Sequence, residues 1–299
     1  SDNYTYYAEK LEQSKVADEL AQASISNVRI ASSPTLPTDP IWPKRLLNLV
    51  LALVGGLVVA LAVAFLLDYL DHGLKTPEDV EYYLKLPPLA SFFNRSGETL
   101  SQREAERLAV MLDTGVPSGE SQCLLMSSAV GGEGANQVAS AVAEAFAGDP
   151  HAKTLLVDIA GDVARAKNAQ GLTDVLFDQA ALDDVLTSDG DLTVVGRGSH
   201  SESPAYLWGS ERMYELVAEL RRRLRHIVLN VSPVLQSQDP LKLAQHADGI
   251  VIVVRADATR REVVTRALDM FKEDARKKVV GAVLTERTQT IPQAVYKRI

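Results

Sequence analysis

The longest apolar stretch of the chain, Leu49–Leu67, contains only apolar residues and glycine. A helix rises about 1.5 Å per residue, so a helix of this length crosses a hydrocarbon core of about 30 Å. A buried helix of a soluble protein is the alternative, but such a helix seldom lacks a polar face along its whole length. Trp42, Lys44 and Arg45 precede the stretch and are typical of a membrane interface. The sequence therefore predicts a transmembrane helix over residues 46–70.

Two segments with different patterns precede this span. Residues 1–30 carry helix formers with apolar positions bracketed by charges, which predicts an amphipathic or coiled-coil helix that needs partner helices. Residues 31–45 carry a proline at every third position, which matches the three-residue turn of a polyproline helix. The prolines are Pro34, Pro37, Pro40 and Pro43. We interpret this segment as a stiff entry to the membrane rather than as a proline ligand.

Residues 71–100 are predicted to form a juxtamembrane linker that contains one short helix. Thr76 can cap that helix, and Pro77 fits its first turn. Glu78 and Asp79 then oppose the positive end of the helix dipole. We therefore expect a helix that begins after Thr76 and is followed by extended linker.

Strand-like and helix-like patterns alternate through residues 101–299. Strands are predicted at 122–128, 153–158, 192–196, 226–231, 249–254 and 278–284. Helices are predicted at 101–112, 136–147, 181–186, 209–224, 240–246 and 259–275. This alternation predicts a doubly wound α/β fold, with a parallel sheet between two helical layers and a ligand crevice at the carboxyl ends of the strands.

A glycine-rich turn joins the first of these strands to the next helix. It reads Gly131-Gly132-Glu133-Gly134-Ala135-Asn136. Backbone amides in such a turn, together with the helix N-terminus, bind phosphate, so the turn predicts a P-loop NTPase-like domain. A working phosphate loop continues with lysine, which contacts the phosphates, and with a hydroxyl residue, which binds magnesium. Ala135 and Asn136 stand there instead, and the glycines are interpreted as a retained turn.

Charge and cysteine content narrow the possible functions. The net charge of -8 argues against nucleic-acid binding. The basic cluster Arg221–Arg223 with Arg225 is interpreted as a solvated helix end. The single cysteine, Cys123, lies in an apolar run, which predicts a buried, unreactive thiol. The start at Ser1, without methionine or a signal-peptide pattern, predicts a piece of a longer protein.

Several longer motifs together resemble a known family. They are ISNVRIASSPTLPTDPIWP at 25–43, LDHGLKTPEDVEYYLKLPPLASF at 70–92, GLTDVL at 171–176, DPLKLAQHADGIVIVV at 239–254 and IPQAVYKRI at 291–299. The first two resemble the C-terminal part of bacterial polysaccharide co-polymerases, the chain-length determinants of the Wzz and GumC type. Residues 101–299 resemble the cytoplasmic tyrosine autokinase domain that many of these proteins carry.

The resemblance implies an inner-membrane protein with residues 1–30 in the periplasm and the domain of residues 101–299 in the cytoplasm. The charges flanking the span point the other way, because Lys44 and Arg45 precede it and the positive-inside rule would place that side in the cytoplasm. The family topology outweighs these two charges.

The family's catalytic motifs match this sequence only in part. The family's phosphate loop reads proline-glycine-glutamate-glycine-lysine-serine. Residues 131–136 correspond to this loop but lack its lysine and its serine. Its second motif, aspartate-x-aspartate-x-arginine, keeps only the first acid, Asp158. Its third motif places an aspartate where Asn230 stands. Phosphoryl transfer depends on these charges, so we predict a degenerate site. Asp158 is left with two interpretations, a metal ligand or a cap for the following segment.

Two further family features are incomplete. An oligomerisation motif, glutamate-x-x-arginine-x-x-arginine, is matched by Glu104 and Arg107, but Val110 replaces the last arginine. The autophosphorylated tail is rich in tyrosine, and here Tyr296 is the one candidate phosphotyrosine. We interpret it as a packing residue.

The resemblance implies a polysaccharide co-polymerase subunit that regulates chain length or export of an exopolysaccharide or O-antigen-type polymer, with a kinase-like domain that acts as a scaffold. Its expected partners are further copies of the chain, membrane lipid, the polymerase and export proteins, and a separate active tyrosine kinase, with no nucleic acid. No cofactor is predicted beyond a weak ATP and magnesium site. The alternative is an active autokinase or ATPase with non-standard residues. A third interpretation is a membrane-tethered relative of the partitioning ATPases.

Overall fold

The computed structural model describes residues 2–22, 44–70, 73–93, 101–117, 119–161, 170–199 and 205–287. The chain divides into two compact units, Ser1–Tyr69 and Leu70–Ile299.

The first unit is helical where it is described. Helix α1 spans Asp2–Gln22 and helix α2 spans Arg45–Leu70. The side chains described on both helices are exposed. Within α2, Arg45–Leu67 is long and apolar enough to cross a membrane. Helices therefore form in both segments for which the sequence predicts one, whereas the amphipathic or coiled-coil character of residues 1–30 and the membrane crossing of α2 stay predictions. The proline-rich entry segment lies outside the described residues, apart from Lys44 and Arg45.

The second unit begins with the predicted capped helix. Helix α3 spans Pro77–Asp79 and continues into a π-helical turn, Val80–Leu84. The Thr76 hydroxyl accepts a hydrogen bond from the Asp79 amide at 3.2 Å, and the Asp79 carboxylate accepts one from the Thr76 amide at 2.9 Å. This reciprocal pair is a capping box, so the predicted helix start is confirmed.

The remaining elements alternate along the chain. The strands are β1 Pro88–Phe93, β2 Gln122–Ser128, β3 Thr154–Asp158, β4 Thr187–Asp189, β5 Leu192–Gly196, β6 His226–Asn230, β7 Gly249–Arg255 and β8 Val279–Arg287. The helices are α4 Gln102–Gly115, α5 Ala135–Ala147, α6 Leu172–Leu176, α7 Leu182–Val185, α8 Glu211–Arg223, α9 Asp239–Leu243, α10 Arg261–Asp269 and α11 Glu273–Arg276. A 3-10 turn, Ala205–Gly209, precedes α8.

All eight strands form one sheet in the order β1-β8-β7-β2-β6-β3-β5-β4. Neighbours are parallel except β4 and β5, which pair antiparallel at one edge. Side chains from alternate positions of the strands enter two separate apolar clusters, one with helices α4 and α5 and the other with α8, α9 and α10. Helices therefore cover both faces, and the predicted doubly wound α/β fold is confirmed.

Two local predictions are wrong. Residues 88–93 form strand β1 rather than linker, because they pair in parallel with β8 and bury Phe92. A proline is tolerated at the first position of an edge strand, and Pro88 occupies that position. The single helix predicted over 259–275 is instead α10 and α11, since the chain turns at Lys272, whose backbone is extended, next to the buried Phe271.

Candidate functional site

The predicted site residues meet at the carboxyl edge of the sheet, where three neighbouring strands end. Asp158 ends β3 and Asn230 ends β6, and the two residues are register partners. Strand β2 pairs with the other side of β6 and leads into the glycine-rich turn. Strand order therefore places the turn, Asp158 and Asn230 at one crevice, as the α/β pattern predicts.

The glycine-rich turn has backbone dihedral angles that residues other than glycine rarely adopt. Gly132 and Gly134 both have φ of 82°, in the left-handed region, and α5 begins directly afterwards at Ala135. A β-carbon at Gly131 would lie 3.3 Å from the side-chain amide of Gln236, which comes from the loop after β6. The turn thus retains its glycine-dependent shape and is packed against a neighbouring loop.

Glu133 points into the protein and not toward solvent, since only 2% of the residue is exposed. Its carboxylate accepts hydrogen bonds from the Val130 amide at 2.9 Å and from the Thr259 hydroxyl. Its backbone carbonyl accepts a hydrogen bond from the Thr285 hydroxyl at 2.7 Å. Burial raises the pKa of Glu133, and these hydrogen bonds to the carboxylate oppose the rise. Glu133 therefore fastens the turn to the segments that follow β7 and form β8.

Asp158 and Asn230 form a buried pair beside the turn. The Asn230 amide nitrogen donates to Asp158 Oδ1 at 2.7 Å, and the Gly161 amide donates to the same oxygen at 3.1 Å. The second contact is the one expected of a carboxylate that caps the following segment. Asn230 Oδ1 is buried without a partner in the described part of the chain.

The first two residues of α5 carry no charged side chain. Ala135 is only 8% exposed and carries no charge, and Asn136 offers an amide in place of a hydroxyl. Among the described residues, no group of three or more histidine, cysteine, aspartate and glutamate side chains could hold a metal ion. Ala135, Asn136 and Asn230 thus offer neither the lysine and the hydroxyl of a phosphate loop nor the acid that the kinase resemblance implies at position 230.

A cation does lie at the same edge of the sheet, but it is already paired. Arg197 follows β5, and its guanidinium donates to the Asp239 carboxylate at 2.8 Å and to the Ile159 carbonyl at 3.3 Å. Trp208 Nε1 donates to the other oxygen of Asp239 at 2.9 Å. This cluster was not predicted, because its members lie far apart in sequence and belong to no local motif.

Other singled-out residues lie away from the crevice. Glu104 and Arg107 are on α4, where Arg107 lines a shallow surface depression with Val110 and Met111. Tyr296 and the remainder of the second motif, from Asp162, lie outside the described residues.

The basic cluster lies at the C-terminal end of α8 as predicted, with Arg222 and Arg223 exposed. Arg221, Arg223 and Arg225 also form ion pairs within the chain, which the sequence did not predict. Their partners are Asp248 at 2.8 Å, Asp183 at 2.7 Å and Asp113 at 3.3 Å. The prediction for Cys123 is confirmed, because its side chain is fully buried and burial raises the pKa of the thiol to about 12.

Comparison with known proteins adds two findings. Residues 2–68 match a family model described as "G-rich domain on putative tyrosine kinase". The chain is also 22% identical, over 95% of its length, to a tyrosine-protein kinase, ptk, of Acinetobacter johnsonii. It is 22% identical, over 89% of its length, to a Klebsiella pneumoniae protein named "Putative tyrosine-protein kinase in cps region". The chain spans about two fifths of the length of these relatives, 42% and 41%.

The fold agrees with that of a solved kinase domain. The kinase domain of the Escherichia coli tyrosine kinase ETK superposes with a TM-score of 0.65 and 18% sequence identity, covering 73% of this chain and 95% of that domain. The second unit therefore has the P-loop NTPase-like fold of bacterial tyrosine kinases, and it follows one helix that is a candidate membrane span.

Proposed function

We propose that this chain is a membrane-anchored subunit of a bacterial polysaccharide export system, and that its kinase-like domain serves as a scaffold rather than as a catalyst. The match of residues 2–68 to the G-rich model, the names of the relatives and the apolar helix α2 support the first part. In this proposal residues 1–30 are periplasmic and the domain of residues 101–299 is cytoplasmic. The subunit regulates chain length or export by binding the polymerase and export proteins.

The observation that carries the scaffold proposal is the set of residues that follows the glycine-rich turn and ends strand β6. A glycine-rich turn with left-handed glycines leads into Ala135 and Asn136, and the residue beside Asp158 is Asn230, an uncharged amide that donates to its carboxylate. Loss of a single oxyanion-type contact costs about 2.7–4 kcal/mol in comparable sites, and here several are replaced together. Arg197 does not compensate, because Asp239 already holds its guanidinium.

Self-association through α4 is part of the proposal. Glu104 and Arg107 match two of the three charged positions of the family's oligomerisation motif. The third position is Val110, which is 64% exposed, next to Met111, which is 46% exposed. An exposed apolar pair at this position suits contact with another protein surface, with Glu104 and Arg107 forming polar contacts around it.

Calorimetry on the full chain in lipid nanodiscs tests the scaffold proposal. Mg-ATP and Mg-ADP are titrated at concentrations up to the millimolar range, and we expect no saturable heat. In parallel, radiolabelled ATP is used to detect phosphate release and transfer to Tyr296. Micromolar binding together with either product would show that the crevice is catalytic.

An active autokinase remains the second candidate. Its supporting observation is the retained left-handed backbone at Gly132 and Gly134, which is the shape a phosphate requires. The same calorimetry separates the two candidates, since the autokinase requires nucleotide affinity and the scaffold does not.

A further inference from the structure

Two adjacent tyrosines stand at the surface of the segment that follows the membrane span. Tyr82 and Tyr83 lie on the π-helical turn Val80–Leu84 and are 68% and 45% exposed. The turn ends at Lys85, whose φ of 56° is left-handed. Short π-helical turns are rare and recur at functional sites. Val80 and Leu84 anchor this turn in the core, so the turn presents the two phenols on its outer side, where an enzyme can reach them.

A guanidinium lies over the ring of Tyr83. The Arg261 guanidinium carbon is 4.4 Å from the Tyr83 ring centroid, and Arg261 is the first residue of α10, directly after Arg260. Glu262 accepts a hydrogen bond from Arg261 Nε at 3.0 Å, which uses one of the five N–H donors of the guanidinium. Tyr82 has a different neighbour, because the Lys85 ammonium lies 5.0 Å from its ring centroid.

We propose that Tyr83 is a phosphorylation site whose phosphate is held by Arg261. A protein-tyrosine kinase transfers the γ-phosphoryl group of ATP to Tyr83 Oη. The phenol O–H bond and the bond between the γ-phosphorus and the bridging oxygen break, a new O–P bond forms, ADP leaves, and the proton passes to solvent. A dianionic phosphate beside a guanidinium replaces a cation–π contact by charge-assisted hydrogen bonds, which are stronger. The kinase acts from outside, so the proposal does not depend on nucleotide binding by this chain.

The position of Tyr83 gives the phosphate a structural consequence. The segment before it is already tied to the loop before α10, because the Leu74 amide donates to the Thr259 carbonyl at 3.3 Å and the Asp257 amide donates to the Leu74 carbonyl at 3.0 Å. Thr259 is also the residue whose hydroxyl holds Glu133. A phosphate bridging Tyr83 and Arg261 adds a second tie between the same two segments and rigidifies the loop that supports the glycine-rich turn.

The first experiment treats the full chain in nanodiscs with the catalytic domain of an active bacterial protein-tyrosine kinase and Mg-ATP, and maps phosphate by peptide mass spectrometry. Tyr83 is expected to be the main site among residues 70–299. Tyr83→Phe should remove most of the label from this region, and Tyr82→Phe should leave most of it. Tyr206, which is 70% exposed, is the internal control for exposure alone. Label on Tyr206 or Tyr82 with none on Tyr83 would overturn the proposal.

The second experiment tests the role of Arg261 through phosphate removal. A tyrosine phosphatase is added to the phosphorylated chain, and loss of phosphate from Tyr83 is followed with time. Because a hydrogen bond to a charged group is worth about 1.5–3 kcal/mol, Arg261→Ala should speed removal by about tenfold or more. Arg266→Ala, on the exposed side of the same helix, is the matched control and should leave the rate unchanged. Equal rates in all three proteins would refute the assignment of Arg261.

Discussion

The side-chain amide of Asn230 donates a hydrogen bond of 2.7 Å to the carboxylate of Asp158, and both residues are at most 1% exposed. The kinase resemblance implies an acid at position 230. Two buried carboxylates at this separation require a cation or a shared proton, whereas the Asn230 amide nitrogen donates directly to the carboxylate.

Asn230→Asp tests this relationship. The change replaces a donor by a second carboxylate, so we expect the free energy of unfolding at neutral pH to fall by about 1–3 kcal/mol. The pKa of the new carboxylate should be raised by burial and by Asp158, so the loss should shrink as the pH falls through that raised pKa. Magnesium should restore part of the stability. Denaturant unfolding with and without magnesium measures both effects, and a variant as stable as the original protein at every pH would contradict them.

Reconstruction of the phosphate loop tests the scaffold proposal. Ala135→Lys, Asn136→Ser and Asn230→Asp together return the ammonium, the hydroxyl and the acid. One such contact is worth about 2.7–4 kcal/mol, so Mg-ADP affinity should rise by about 100-fold or more. The matched control carries Ala135→Met with the other two changes, which keeps side-chain length without charge. If calorimetry shows that both triple variants bind Mg-ADP equally well, the positive charge at position 135 does not limit nucleotide binding.

Thr259 should stabilise the glycine-rich turn through its hydroxyl. Thr259→Val removes the donor to the buried Glu133 carboxylate while keeping the side-chain shape, so unfolding free energy should fall by about 1–3 kcal/mol. Thr259→Ser keeps the hydroxyl and should lose less. Hydrogen exchange at residues 129–134 should be faster in the valine variant than in the serine variant. The same exchange rate in both would show that this hydrogen bond does not hold the turn.

Glu133 should make stability depend on pH in a defined direction. Burial raises its pKa in the folded protein, so its contribution is fully present below the unfolded pKa and is lost as the pH rises through the folded pKa. Relative to Glu133→Gln, which does not titrate, the original protein should therefore gain stability as the pH falls from neutral toward about 4.5. Unfolding of both proteins across this range measures the difference. A difference that stays constant with pH would contradict a raised pKa for Glu133.

Gly171 should tolerate no side chain. A β-carbon there would lie 2.4 Å from the Gly196 carbonyl oxygen and 2.6 Å from the Gly198 amide nitrogen. Gly171→Ala should therefore separate α6 from the end of β5 and lower the thermal unfolding temperature, by several degrees for each kcal/mol lost. Gly119→Ala is the control, because nothing lies within 4 Å of its β-carbon position. The thermal unfolding temperatures of the two variants are compared, and equal temperatures would contradict this expectation.

Local patterns alone predicted much of this protein. The apolar run at Leu49–Leu67 determines a helix with no polar face, and the alternation of strand and helix patterns determines a two-sided parallel sheet. The glycine-rich turn was also predicted from local sequence, because consecutive glycines before a helical pattern are typical of a phosphate-binding turn. The helix start at Thr76 followed from the residue types of one helical turn, whereas the reciprocal bond from Asp79 appeared only in the structure. Each of these features depends on residues that are neighbours in sequence.

The order of the strands in the sheet determined the contacts that local patterns did not predict. Glu133 is held by Thr259 and Thr285, which lie 126 and 152 positions away, and Arg197 is paired with Asp239, 42 positions away. Strand β1 was missed because Pro87 and Pro88 at its start are typical of a linker, and only the structure shows that β8 pairs with it. Periodicity shows which side chains are buried but not which strands lie side by side, so contacts across the sheet edge are visible only in the tertiary structure.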